Sequence, residues 1–424
     1  MALVEGTGVQ LAYNKETSWA VPNGTAYTVV RKLTGAGLNE ERSQLQSAEL
    51  NNRRAVTGMR LGTRKTRATV PFELFYAGAA AAASQQFDDF MESWMCAAWT
   101  AASTAASFTT FAMAAPSAGL TVVTAGTPGG TVLAATDVGK WYKLVGTTAT
   151  TLNGFYRLVA FSSTTSFTLA AGQALPSGAA QGSTTLTPMA YVVPGTTTKS
   201  IAFDEAYTDQ AAAITLDKMA IGAVADTFSL SITPDQIITG EFGFQGRVLG
   251  IGATRALAAT NASLYSTIAA AASWPAAATS SPMTANDSLT YLMVDNQTVG
   301  VITNFTLNGA NGLEELFPVG ATCPYGIGKG ISNLSGTFDI YLTDSTFWTA
   351  YRAETTYGIT LRLMDPDTAV GYAIDIPNVK LSGLGDTKDQ TKVLQNVQWM
   401  ALENAAVSAK GGITVNMRVS RLTA

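Results

Sequence analysis

Histidine is absent from the 424-residue sequence, and cysteine occurs only twice. The absence of histidine excludes Ser-His-Asp and Cys-His catalysis, the common zinc sites and the usual near-neutral general base. Cys96 and Cys323 lie far apart and form no CxxC pair, so the sequence indicates neither a disulfide framework nor a redox motif. We therefore predict that the protein is not an enzyme and that it holds no cofactor and no metal.

Charge is also scarce, because only 13% of residues are charged and 26 basic side chains face 30 acidic ones, for a formal net charge of −4. The charged fraction is about half the usual value, which predicts that other copies of the chain cover much of the surface. The negative balance argues against a protein whose main task is to hold nucleic acid. The N-terminus has no export signal and no apolar run spans a bilayer, so we expect cytoplasmic synthesis and no stable membrane association.

What the sequence does contain is an internal repeat. Residues 70–95 read as an alternating strand, a small-residue spacer and a helix with apolar residues at i, i+3, i+4, i+7 and i+8. A similar strand and helix return in residues 336–359, and upstream of each strand the stretch 33–44 resembles the stretch 307–320. The recurrence of features in the same order predicts two copies of a β-rich module with one helix each.

The repeat predicts the organisation of the chain. A first module covers residues 1–115 and 189–250, and a second covers 287–424 after a linker at 251–286. Residues 116–188 are rich in Thr and Gly, with short alternating runs between turns, which favours a small inserted antiparallel β domain over a disordered linker. The last residues read as one extra strand that pairs with a sheet edge, in this chain or in a neighbour.

Two kinds of charged cluster are candidate sites. The stretch 42–67 could be a nucleic-acid arm, a solvated loop without function, or a loop that docks on an acidic surface of another subunit, and the last is favoured because stacking aromatics are missing. The adjacent acids Asp88 and Asp89 diverge on a helix, which favours solvated or subunit-facing charge over acid–base chemistry. The basic residues of the stretch are Arg42, Arg53, Arg54, Arg60, Arg64, Lys65 and Arg67.

Several segments, taken in their order along the chain, resemble those of a known family. They are "RSQLQSAELNNRRAVTGMRLG", "ATVPFELFY", "FDDFMESWM", the inserted "DVGKWYKLVGTTATTLNGFYRLV", "FSLSITPDQIITGEFGFQGR" and "YAIDIPNVKL". Together they resemble the tail tube (major tail) proteins of long-tailed, non-contractile bacteriophages, in the lineage with two tube domains per chain. The resemblance implies a mainly β fold, with two tandem β-sandwich or barrel modules and the small inserted domain.

The resemblance also implies a function in the virion. Chains would form homotrimeric rings of pseudo-sixfold symmetry, and the rings would stack into a hollow tube through which double-stranded DNA passes transiently. The partners implied are the chain itself and the tail terminator, baseplate or tip, and tape-measure proteins. The stretch 42–67 lies where the family has a loop that reaches the adjacent ring. The alternative is a virion decoration or host-surface-binding protein, which the Thr-rich insert favours.

Passing DNA must not be held, because each Lys or Arg that contacts a phosphate adds affinity. We therefore predict an uncharged or acidic lumen, with Glu73 and Asp339 on the non-core strand faces as candidates for lumen or inter-subunit positions. The inserted domain is expected to project outward as a decoration, so that its removal leaves assembly intact.

Overall fold

The chain forms antiparallel β-sheets in a computed structural model, and the predicted mainly β fold is confirmed. The structure describes residues 9–23, 27–47, 58–76, 85–102, 105–114, 117, 120–130, 132–146, 153–170, 178–181, 183–208, 215–252, 280–286, 291–298, 302–365, 367–388, 391–404 and 415–423. No helix within these ranges has the length and apolar character needed to cross a membrane.

In chain order, the first elements are Val9–Lys15 (β1), Thr28–Val29 (β2), Gly37–Gln46 (β3), Met59–Glu73 (β4) and the helix Gln86–Met95 (α1). Next come Ala106–Phe108 (β5), Phe111–Met113 (β6), Leu120–Ala125 (β7), Pro128–Gly130 (β8), Trp141–Gly146 (β9), Gly154–Ser163 (β10), Ser166–Ala170 (β11), Gly178–Gln181 (β12) and Thr184–Pro188 (β13). These are followed by Tyr191–Val192 (β14), Ile201–Thr208 (β15), Thr215–Ile232 (β16), Thr239–Gly246 (β17) and Val248–Gly252 (β18). The remainder are Tyr291–Val294 (β19), Gln297–Thr298 (β20), Ile302–Ala310 (β21), Glu314–Leu316 (β22), Gly326–Gly328 (β23), Asn333–Tyr341 (β24), the helix Thr346–Arg352 (α2), Thr356–Met364 (β25), Gly371–Lys388 (β26), Val393–Ala401 (β27) and Arg418–Leu422 (β28).

Two sets of strands pair in the same pattern. In the first half, β2, β1, β15 and the start of β16 form an outer sheet that ends at β18, while β3, β4, β17 and the end of β16 form an inner sheet. In the second half, β20, β19, β25, β26 and β28 repeat the outer sheet, and β21, β24, β27 and the end of β26 repeat the inner one. The long strands β16 and β26 each pass from one sheet to the other.

The β-bulges recur at matching places, which establishes the residue equivalence of the two halves. The β15–β16 register shifts between Ile201 and Phe203, and the β25–β26 register shifts between Tyr357 and Ile359. The β16–β17 and β26–β27 pairs share a second shift, after Ala225 and after Leu381. A bulge inserts one unpaired residue, so these shared shifts align the halves residue by residue.

This alignment corrects two details of the sequence comparison. The equivalent of Leu307 is Leu38, not Leu33, so the resemblance between stretches 33–44 and 307–320 is out of register. Asp339 is equivalent to Pro71, and the equivalent of Glu73 is Tyr341. Side chains alternate between the two faces of a strand, and Pro71 and Glu73 are alternate residues of β4, so Glu73 and Asp339 still lie on the same face of the inner sheet.

The core of the first half lies between its two sheets, with α1 packed against both. The apolar spacing of α1 puts Phe90 5.8 Å from the Phe203 ring of the outer sheet and 5.6 Å from the Phe242 ring of the inner sheet. The helix ends at Cys96, which has a left-handed conformation. The second helix, α2, is shorter, and only Ala350 on it is buried.

The strands β5–β13 form a separate nine-stranded sheet with its own core. This sheet begins at Ala106, ahead of the predicted boundary at 116, because β5 pairs with β13 and β8. The C-terminal strand β28 pairs with β26 and β14, so the edges to which it pairs belong to its own chain.

Candidate assembly surfaces

The two halves meet by strand pairing. The end of β16 pairs antiparallel with β21, from Thr227 opposite Ala310 to Ile232 opposite Phe305, and this joins the two inner sheets. On the core side, Leu230 lies opposite Leu307, and both are buried. Gly309 is needed at this contact because a Cβ at its position would lie 2.3 Å from Cζ2 of Trp94 on α1. We call this pairing the internal junction.

The joined inner sheet has eight strands in the order β3, β4, β17, β16, β21, β24, β27, β26, so β3 and the end of β26 are its edges. Among the described residues, neither edge has a strand partner on its outer side. Residues 385–388 at the end of β26 are exposed, as are most residues of β3 from Glu41 onward. By the equivalence of the halves, these edges correspond to the two strands of the internal junction.

One face of the inner sheet packs on the core and α1, and the other, the polar face, has no described element packed across its middle. Its side chains are mostly Thr, Ser, Asn, Gln and Gly, and none of them is buried. They are Thr69, Pro71, Glu73, Ser229, Ser231, Glu241, Gly243, Thr306, Asn308, Thr337, Asp339, Asn396 and Gln398. The charged groups in this set are all acidic, whereas Lys65 and Arg67, which continue the same face of β4 toward its end, lie beside Glu315.

Both acids predicted for the lumen or a subunit contact lie on the polar face. Asp339 is held between neighbouring strands, since Nδ2 of Asn396 donates to its Oδ1 at 2.6 Å and Nδ2 of Asn304 donates to its Oδ2 at 3.4 Å. Glu73 lies at the end of β4, half-buried. Glu241 is exposed on β17 and was missed in the sequence, although it alternates with buried Phe242 and Phe244.

The basic stretch is largely a strand hairpin and not a loop. Arg42, Arg60, Arg64, Lys65 and Arg67 lie in β3 and β4, whereas Arg53 and Arg54 lie outside the described residues. Part of its charge is neutralised within the chain. Arg67 forms an ion pair with Glu315 of β22, Lys65 lies 3.9 Å from the same carboxylate, and Arg64 lies 3.8 Å from Glu40.

Exposed apolar side chains accumulate at the end of the inner sheet where the β3–β4 hairpin and the β21–β24 connection emerge. They occur in both halves. In the hairpin they are Leu45, Met59 and Leu61, and in the connection they are Leu316, Val319, Tyr325 and Ile331. Contiguous exposed apolar surface is typical of an interaction site.

The acids of α1 are buried, so their interpretation as solvated or subunit-facing charge is wrong. Asp88 forms an ion pair at 2.8 Å with Arg421 of β28, and Asp89 forms one at 2.7 Å with Lys15 of β1. Arg421 of the second half therefore covers Asp88, whereas Tyr13 and Lys15 of the first half cover Asp89. Burial raises the pKa of Asp88 to about 7 despite the nearby Arg421 guanidinium, and burial also raises the pKa of Asp89.

The inserted sheet is joined to the second half by a buried ionic cluster. Arg157 of β10 donates to Oδ1 of Asp375 at 2.9 Å and to the Thr360 hydroxyl at 2.6 Å. Nε1 of Trp141 donates to Oδ2 of Asp375 at 2.9 Å, and Arg418 lies 3.4 Å from the same oxygen. Asp375 is 0% exposed and both arginines are 1% exposed. Burial lowers the pKa of Arg418, against the effect of Asp375.

This joint lies on the outer face of the second half's outer sheet, the side remote from the polar face. Tyr372 and Ile374 of β26 point into the main core, while Ala373 and Asp375 point toward the insert. In the first half the equivalent face is covered by the chain's own Ala20 and Tyr27. The insert is therefore a fixed layer of the second half, which argues against the expectation that it can be removed without consequence.

Within the described ranges, no group of three His, Cys, Asp or Glu side chains could hold a metal ion. A family model described as phage tail tube protein matches residues 6–420, nearly the whole chain. No curated protein matches the chain.

Proposed function

The chain belongs to the phage tail tube protein family, and from that premise we propose that three copies close into a ring and that rings stack into the hollow tube through which DNA is ejected. The family is a structural one and not an enzyme family, so the protein is a component of the virion. Synthesis and assembly in the host bacterial cytoplasm form part of the proposal.

The observation that carries the proposal is the internal junction. It joins two equivalent units edge to edge, and it leaves the same two edges open at the ends of the joined sheet. An open edge presents unpaired N–H and C=O groups to another strand. Repetition of the same junction between chains closes a ring in which each chain supplies two units, and three chains give pseudo-sixfold symmetry.

The polar face supports a bore that does not retain DNA. If the inner sheets close into a barrel, α1 and the insert stay outside and the polar face lines the lumen. Glu73, Glu241 and Asp339 make this face acidic, while the basic Lys65 and Arg67 lie near its end beside Glu315. The middle of the face has no Lys or Arg to displace counterions from DNA, and its carboxylates repel the phosphates, so neither effect holds the duplex.

The exposed apolar residues and Arg60 at one end of the sheet support stacking of one ring on the next. The β3–β4 hairpin, whose paired strands carry Arg60 and the exposed Leu45, Met59 and Leu61, is the stronger candidate for the axial contact. A tube so formed would end on a tail terminator and on a baseplate or tip, and it would enclose a tape-measure protein during assembly.

Negative-stain microscopy and native mass spectrometry of the purified chain test the proposal. We expect rings or stacked tubes with a central bore and a ring mass of three chains. Compact monomers, or trimers without a bore, would contradict it and would favour a decoration or host-binding protein.

A further inference from the structure

The internal junction and the open edges differ in charge. On the core side of the internal junction, Leu230 and Ile232 of β16 face Leu307 and Phe305, so the contact is apolar. At the open edge of β26, the places of Leu230 and Ile232 are taken by Asp386 and Lys388, both exposed.

The surroundings of the opposite edge, strand β3, also carry charged side chains where the second half is apolar. Glu205 and Lys218 of the first half occupy the places of Leu361 and Ile374, which lie in the apolar core of the second half. Glu205 Oε1 lies 3.9 Å from Nζ of Lys32, and its Oε2 lies 3.8 Å from Nζ of Lys218. The first half therefore has the ion pair of Glu205 and Lys218 where the second half has aliphatic side chains, and Lys32 adds a second cation beside Glu205.

These charged side chains lie next to the open strand β3. The backbone N–H of Leu38 donates to Oε2 of Glu205 at 3.4 Å, and Leu38 is the equivalent of Leu307. In the internal junction Leu307 lies opposite Leu230, whose equivalent is Asp386. The strand register that brings Asp386 to β3 thus brings it beside Lys32 and Lys218.

On the basis of the proposed function, we propose that ion pairs hold the joint between chains, with a second copy of this chain as the partner. The end of β26 pairs antiparallel with β3 of the next copy, with Gly385 opposite Asn39 and Asp386 opposite Leu38. Asp386 then lies beside Lys32 and Lys218 and neutralises part of their positive charge, while Lys388 lies two residues further along the same face of β26.

This difference has a physical reason. The internal junction forms once during folding, and burial of apolar side chains makes it permanent. An open edge must stay soluble until a second chain arrives, and charged side chains at an edge oppose uncontrolled pairing. Complementary charges also select the correct partner edge, because like charges placed together are strongly unfavourable.

Charge reversal tests the proposal in the full chain. We expect Asp386→Lys to lower the apparent association constant for ring formation by about tenfold or more, measured by sedimentation velocity. The added change Lys218→Glu should restore much of the loss by reversing the pair. Asp367→Lys is the matched control, because Asp367 is an exposed acid in the β25–β26 turn and changes the net charge equally.

Salt provides a second measurement that does not depend on a charge-reversed variant being folded. Raising NaCl from about 50 mM to about 500 mM should weaken wild-type ring formation. The Asp386→Leu variant, which has the residue type of Leu230 at this position, should be less sensitive to salt.

The outcomes separate this inference from the proposed function. Wild-type rings whose assembly is insensitive to salt, or is unchanged by Asp386→Lys relative to Asp367→Lys, would overturn the ionic joint and leave the tube intact. A loss with Asp386→Lys that Lys218→Glu fails to recover would also overturn it. A wild-type chain that forms no rings would overturn both.

Discussion

Replacing Arg157 by alanine should weaken the attachment of the insert to the second half. Arg157 lies in β10 of the insert and is 1% exposed, and its guanidinium bridges Asp375 and Thr360 of the second half. The substitution leaves the Asp375 carboxylate fully buried, with the Thr360 hydroxyl, Trp141 and the more distant Arg418 as its remaining partners.

The expected loss of stability follows from this burial. Breaking a buried ion pair by removing one member costs about 3–5 kcal/mol, because the other charge loses its partner in the interior. Arg418 stays 3.4 Å from Asp375 in the variant, which places the expected loss at the lower end of this range. For a cooperative unit of 150–250 residues each kcal/mol lowers the Tm by about 2–4 °C, so the shift should be on the order of 10 °C. We also expect the single transition of the insert and second half to separate into two.

Differential scanning calorimetry of wild type and Arg157→Ala measures both effects. Arg352→Ala is the control, because Arg352 is an exposed arginine of α2, and surface changes of this kind are usually within about 0.5 kcal/mol. A loss below about 1 kcal/mol, or a single transition unchanged in width, would refute the reasoning and would return the insert to the status of a loosely attached decoration.

Three further predictions concern the edges, the buried acid and the bore. The double variant Asn39→Cys, Gly385→Cys should form disulfide-linked chains on non-reducing gels. The control Glu41→Cys, Gly385→Cys, whose cysteines are two residues out of register, should cross-link poorly, and equal yields would contradict the proposed register. Burial raises the pKa of Asp88 from 3.8 to about 7, so the folded chain binds a proton there more tightly than the unfolded chain. The free energy of unfolding should therefore fall as pH rises from about 4 to about 7. Urea titrations should show less of this dependence in Asp88→Asn, and equal slopes would count against it. Tubes of Glu241→Lys should bind double-stranded DNA with a steeper salt dependence than wild-type tubes in filter-binding assays, and unaltered binding would place Glu241 outside the bore.

The order of the elements could be predicted from the sequence, because strand alternation and helical spacing are local signals. The apolar spacing of Phe87, Phe90 and Trp94 correctly indicated a helix packed on a core. The alternation of Val70 and Phe72 with polar residues likewise indicated a half-buried strand. These patterns depend only on near neighbours in the chain.

The pairing of the elements could not be predicted in the same way. Asp88 and Asp89 looked solvated because the residue that pairs with Asp88, Arg421, lies in the last strand of the chain. Arg157 and Asp375 gave no signal either, since an isolated charge in a strand is more often exposed than buried. Tertiary contacts between distant strands decide these positions, and a single sequence has no local pattern for them.

The position of the insert in the chain also bears on the order in which the segments fold during synthesis. Strands β5–β13 are synthesised before β25, β26 and β28, yet the Asp375 carboxylate that binds Arg157 and Trp141 lies on one of these later strands. Domains generally fold as units and N-terminal segments fold first during synthesis, so we expect the insert strands to pair with one another before their docking face meets the second half. On this view the late strands complete the docking face, and a chain released before Arg418 emerges would leave Asp375 without one of its two buried arginines.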